Sequence, residues 1–270
     1  MYRLLLLLLL ASLGWACADL SSREQAPAAV LDVSAEMTQA ALRVLESLSP
    51  PLQERVLFPF DAEERKNWNY LPLKDQRKGV PIEEMDAPQR EAVFALLETA
   101  LSDLGAQKVH EIMALERVLH QLEGRGTDDR YRNPEAYFLT IFGQPGDEAP
   151  WGWRYEGHHI SLNFSAVSGQ GLSVTPAFLG SNPGEVREGP QEGTEVLRAE
   201  QAVARRLVQA LDSGQLAQAW IAQEAPFDIV TTNEPRVNLE RREGLPGHAL
   251  LPAQRDSLAR LIRLYTSKMD

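Results

Sequence analysis

Apolar positions along this chain recur with different spacings, and each spacing predicts a different kind of element. Residues 4–10 are an unbroken leucine run, and residues 19–33 then read as a polar, alanine-rich tether with no core periodicity. From Ser34, Met37, Ala40, Ala41, Val44, Leu45 and Leu48 recur at three and four, the spacing of one helical face, until Pro50 and Pro51 stop the run. A short helix is predicted over 52–57. Residues 58–82 have no period, and Trp68, Tyr70, Pro72 and Pro81 predict a long loop packed on the core by its aromatics. Asp86 then caps a helix with Pro88 in its first turn. Val93, Leu96, Leu97, Ala100, Leu101 and Leu104 form its apolar face, and Gly105 closes it. A further helix is predicted over 106–122, followed by a polar loop at 124–134.

The middle of the chain switches to the alternation of strands. Strands are predicted at 137–142, 151–155, 158–167 and 172–179, with tight turns at Glu156-Gly157 and at 168–171. Helical spacing returns at 195–211, 216–223 and 252–265, around a proline-containing loop at 225–248. Helices before and after one group of strands, not alternating with them, define an α+β class. The expected architecture is a single domain, 34–270, with helices flanking one antiparallel four-stranded meander sheet.

The leucine run acquires a meaning from its flanks. Arg3 precedes it and Ala16-Cys17-Ala18 follows, which is the order of a secretory signal, so residues 1–18 are expected to direct export. The run is shorter than the roughly 20 residues that span a bilayer. Cys17, the only cysteine, leaves two outcomes open. Cleavage after Ala18 removes it, and cleavage before it would attach a lipid anchor. Either way no disulfide forms and the core must hold the fold. A net charge of −11 argues against nucleic acid, which needs a basic face, and against docking on anionic lipid. Small molecules, metal ions and envelope proteins remain as partners.

Candidate chemistry concentrates in two places. Along the predicted strand 158–167, His158, Ile160, Leu162, Phe164 and Ala166 share one face, and His159, Ser161, Asn163 and Ser165 share the other. The polar row reads as the lining of a ligand site, with Trp153 contributing from an aromatic strip of Trp151, Trp153 and Tyr155. On the helix 106–122, Val109, Ile112, Leu115, Leu119 and Leu122 form a stripe that contains Glu116, a costly place for a carboxylate without a partner. His120, one turn on, is its expected partner. His159, Glu116, His158 and His120 are therefore the candidate ligands of a transition metal. His110-Glu111 lacks the second histidine of a zincin, since position 114 is alanine, and no P-loop, G-x-S-x-G elbow or G-x-G-x-x-G occurs. Two functions follow: a non-catalytic exported protein that binds a small ligand or an envelope partner near His159 and Asn163, or a metal-dependent enzyme, oxidative or hydrolytic.

The segment Trp151-Gly-Trp-Arg-Tyr-Glu-Gly-His-His-Ile-Ser-Leu-Asn-Phe164 resembles the bacterial family known as domain of unknown function 3500. Phe58-Pro-Phe60, Asn67-Trp68, Lys78-Gly-Val-Pro81, Met113-Ala-Leu-Glu116, Asn133-Pro-Glu135 and Phe178-Leu-Gly-Ser-Asn-Pro183 extend the likeness across 40–265. The resemblance implies an export leader and no particular activity. It also implies further C-terminal strands with a histidine-containing segment, which would make this chain a shortened member.

Overall fold

The computed structural model describes residues 28–146, 148–167, 171–239 and 241–269. The expected signal segment 1–18, with Cys17, lies outside them. So do most of the tether and the turn residues 168–170. In chain order the elements are α1 (Ala28–Ser47), α2 (Pro50–Val56), β1 (Leu57–Phe58), β2 (Val80–Pro81), α3 (Ala87–Glu98), α4 (Asp103–Leu122), β3 (Phe138–Phe142), β4 (Trp151–Gly157), β5 (Ile160–Val167), β6 (Gly171–Ser173), β7 (Ala177–Leu179), α5 (Arg198–Gln209), α6 (Ser213–Ala219) and α7 (Pro252–Thr266). The α+β class stands. Among the described residues no helix is long and apolar enough to cross a membrane.

The sheet departs from a four-stranded meander. β3, β4 and β5 do form an antiparallel meander, but the sheet has seven strands and is mixed, in the order β1-β3-β4-β5-β6. β1 runs parallel to β3, β2 pairs antiparallel with β3, and both β6 and β7 pair with β5. The two added strands are two residues long, too short to show a period. The last predicted strand, 172–179, is split in two at Pro176, which has no N–H to give a ladder.

Glycines explain two more departures. The expected turn at Glu156-Gly157 is displaced to His158-His159, because Gly157 still pairs with Ile160 in the ladder. Gly157 is glycine for space, not for turn geometry: a Cβ there would lie 2.3 Å from Cδ1 of Tyr137. Gly105 does not close a helix either. It sits in the first turn of α4, capped by Ser102, and a Cβ would lie 2.1 Å from the carbonyl oxygen of Lys268. α1 likewise starts at Ala28, inside the stretch read as tether. The Asp86 cap is as expected, closed into a capping box with Gln89.

One face of the sheet carries Leu139, Ile141, Trp151, Trp153, Tyr155, Leu162 and Phe164. They join Met37, Val44, Val93, Leu96, Ile112 and Leu115 of α1, α3 and α4 in one buried cluster. Each such side chain, fully buried, contributes roughly 1.5–3 kcal/mol. β4 is buried at every position, so its other face is covered as well. The C-terminal region is tied back by charge and by hydrogen bonds. Lys108 Nζ lies 3.0 Å and Lys268 Nζ 2.9 Å from Glu200 Oε1, all three residues buried. Ser102 N donates to the Lys268 carbonyl at 3.1 Å.

Candidate functional site

The covered outer face of the sheet is a buried polar network. Arg154 and Glu156 alternate with the aromatic strip of β4 and stand opposite Asn163 and Ser161 of β5. Glu156 Oε1 forms ion pairs with Arg77 Nη1 at 3.0 Å and Arg154 Nε at 3.2 Å, while its Oε2 accepts from Asn69 N at 2.9 Å and Ser161 Oγ at 3.3 Å. Arg77 also donates to the Gly157 carbonyl at 3.0 Å, and Arg154 to the Glu64 carbonyl at 2.8 Å. Burial lowers the Arg77 pKa, and Glu156 opposes that shift. Two arginines, a glutamate and the loop 59–79 therefore close this side. Ser161 is fully buried inside the network, so it is a support and not a surface ligand.

Beyond the network the same face opens into a cleft of about 820 Å³, bounded by Arg65, Lys66, Trp68, Asn163, Ser165 and Arg236 among others. Asn163 is fixed there: its Nδ2 donates to Ser161 Oγ at 3.2 Å and to the Pro176 carbonyl at 2.9 Å. Trp153 borders the cleft but offers no open ring face, being 1% exposed and stacked on Phe164 at 4.3 Å between centroids. The aromatic strip is core. The outer wall is residues 234–238, part of a strap pinned at three points. Trp68 Nε1 donates to the Glu234 carbonyl at 3.3 Å, Asn233 Nδ2 to the Trp68 carbonyl at 3.1 Å, and Tyr70 Oη to Asp228 Oδ1 at 2.8 Å. Burial and Asp228 push the Tyr70 hydroxyl up to about 12.

The histidines occupy the turn between β4 and β5. His159 adopts φ of +62°, which non-glycine residues rarely hold, and is secured by His159 N donating to the Tyr70 carbonyl and Gly180 N to its own carbonyl, both at 2.8 Å. This backbone turns the two rings toward each other, 3.9 Å between centroids, where a strand would have sent them to opposite faces. Burial pushes the His159 imidazole down to about 4, aided by His158 and Arg132, and its Nε2 is buried without a hydrogen-bond partner. His158 Nδ1 contacts Glu116 Oε1, and Arg132 Nη1 lies 3.2 Å from the same nitrogen. Tyr137 Oη donates to the His158 carbonyl at 2.9 Å. A niche of about 10 Å³, room for one water, lies among Arg77, Glu116, Tyr137 and His158.

Glu116 is thus buried as expected, at 3% exposure, but its partner is the distant His158 and not His120. His120 Nε2 instead contacts the carbonyls of Gly126 and Asp129, 3.1 and 3.2 Å away, and so anchors the loop after α4. Of the four candidate metal ligands the fold gathers Glu116, His158 and His159 and leaves His120 outside. Among the described residues no three His, Cys, Asp or Glu side chains are grouped to hold a metal ion. Arg65, Arg77, Arg132 and Arg236 were not singled out from the sequence. Only Arg154, a charge inside an apolar strand, carried a signal that could have found the network.

A family model described as "Protein of unknown function (DUF3500)" matches residues 32–270. No curated protein and no solved structure matches the chain.

Proposed function

The chain belongs to the DUF3500 family, and from its geometry we propose that it is an exported protein that binds a small polar molecule in the cleft over Asn163. The observation that carries this reading is the cleft itself. Its volume of about 820 Å³ falls within the roughly 300–1,000 Å³ of small-molecule sites. Polar groups along its lining, Asn163 and Ser165 from β5, Arg65 from the 3-10 turn 63–66 and Arg236 from the strap, supply orientation. Export rests on the leader pattern of residues 1–18. A thermal-shift panel of amino acids, sugars, organic acids and nucleosides tests the binding. At least one compound is expected to raise Tm, and Ser165→Trp, which puts a bulky indole into the cleft two residues along β5 from Asn163, is expected to abolish the effect. A panel without any stabiliser, or stabilisation indifferent to Ser165→Trp, overturns the reading.

A second reading, a metal-dependent oxidative or hydrolytic enzyme, draws on the Glu116–His158 contact beside His159. Catalytic metal sites usually use three protein ligands and an open position. This reading ranks second because His120, the fourth expected ligand, contacts the carbonyls of Gly126 and Asp129 instead, and among the described residues no three His, Cys, Asp or Glu side chains are grouped to hold a metal ion. Elemental analysis of the untagged full chain decides it. Near-stoichiometric copper, zinc or iron, lost in both Glu116→Ala and His159→Ala, would establish it, and a folded protein without bound metal would remove it.

A further inference from the structure

The walls of the cleft carry an unbalanced charge. Arg65, Lys66 and Arg236 border it against Glu234 alone, in a chain whose net charge is −11. Lys66 is engaged by Glu63 at 2.8 Å. Among the described residues neither Arg65 nor Arg236 has an ion-pair partner. Arg65 is also held in orientation, its guanidinium 4.3 Å from the centroid of the Phe60 ring, and its Nε is buried without a hydrogen-bond partner. A guanidinium fixed this way presents a fork of donors matched to a carboxylate or phosphate, and burying a donor with nothing to receive its hydrogen costs about 1–3 kcal/mol. Arg65 comes from the 3-10 turn 63–66 and Arg236 from the strap, and both line the cleft. Trp68, Pro176, Pro235 and Val237 supply apolar lining between them.

Building on the binding reading, we infer that the ligand is a small organic anion: an oxyanion held by Arg65 and Arg236, joined to a compact apolar body lying against Trp68 and Val237. The oxyanion would complete the hydrogen bonding of Arg65 and couple the strap to the 63–66 turn. Asn163 and Ser165 are left to read a polar group on the body.

Isothermal titration of the full chain with benzoate, phenyl phosphate, benzamide and inorganic phosphate tests this. At least one aryl anion is expected to bind at least tenfold tighter than the neutral benzamide and tighter than inorganic phosphate. Arg65→Ala and Arg236→Ala should each weaken that anion at least tenfold, with far-UV spectra and Tm unchanged. Raising salt from low to high ionic strength should weaken it further. Benzamide binding as well as the anions, with Arg65→Ala silent, would overturn the anion inference and leave the binding reading standing. Inorganic phosphate binding as tightly as phenyl phosphate would overturn the apolar body. Failure of all four probes would overturn the inference, and the thermal-shift panel would then report separately on whether the cleft binds anything.

Discussion

The sheet-centred part of the molecule and its C-terminal helical part are held together by different physics. Residues 37–167 close an apolar core around Trp151, Trp153, Tyr155 and Leu162, each at most 1% exposed. From 198 to 269, the buried residues among those described are Glu200, Val203, Leu250, Gln254 and Lys268, and three of these five are polar or charged. Trp220, Ile221, Phe227, Val230 and Ile262 stand more than half exposed. The second region is attached by the Lys108–Glu200–Lys268 cluster, the Ser102–Lys268 backbone bond and the three strap bonds, while the Gln254–Gln215 pair ties its own helices together. Burial of apolar area is cooperative and non-directional, whereas polar attachments break one at a time. The two regions should therefore open independently, the helical one first.

The comparison can be broken at its strongest point. Trp153→Ala deletes a ring stacked on Phe164 and should cost about 3–5 kcal/mol, read as a fall in the global urea midpoint. A loss below 1 kcal/mol would show that the core is not where stability resides. Glu200→Gln leaves two buried ammonium groups without their carboxylate, and should cost on the order of 3 kcal/mol. Hydrogen exchange should then rise across 198–269 and hardly change in β3–β5. Equal rises in both would mean that the regions are one cooperative unit. pH separates them again. The folded pKa of His159, about 4, lies below its unfolded value of 6.5, so the unfolded chain binds the proton first as pH falls. Its contribution is full above pH 6.5 and lost progressively down to about pH 4. The loss is about 2–3 kcal/mol for the wild type and is absent in His159→Asn, which still tolerates the positive φ. Tyr70→Phe removes the Asp228 bond at a cost of about 1 kcal/mol, expected as faster exchange in 228–234 alone. Least of all, Trp220→Ala should stay within about 0.5 kcal/mol, since the ring is 61% exposed.

Where a signal was local, the chain could be read in advance. The helical periods, the Asp86 cap, the strands β3 to β5 and the cost of burying Glu116 all follow from residues close to each other in sequence, although the meander was expected to have four strands. What escaped was non-local. β1 and β2 exist because β3 offers them edges, and nothing within two residues can announce that. Gly157 looked like a turn glycine, but the ring that excludes a side chain there belongs to Tyr137, twenty positions away in sequence. Placing the turn at His158-His159 reversed the expected facing of the pair and brought His158 to Glu116. The same holds at the cleft: Asn163 was visible in an alternating strand, while Arg65 and Arg236 come from segments without periodicity. Trp153 borders the cleft yet is 1% exposed, because the strip it belongs to faces the helices.

β4 is buried at all seven positions, on both its faces, and this has a consequence for how the chain tolerates change. β5, with its outer positions partly open, should accept replacements at every second residue along its distal half, giving a saturation-mutagenesis map with a period of two. From Trp151 to Gly157 that map should instead be a continuous dark band, charged positions included. Such a band marks the stretch where a reporter, a tag or a recombination breakpoint has nowhere to go, and it assigns the burden of keeping the fold unchanged to seven adjacent codons.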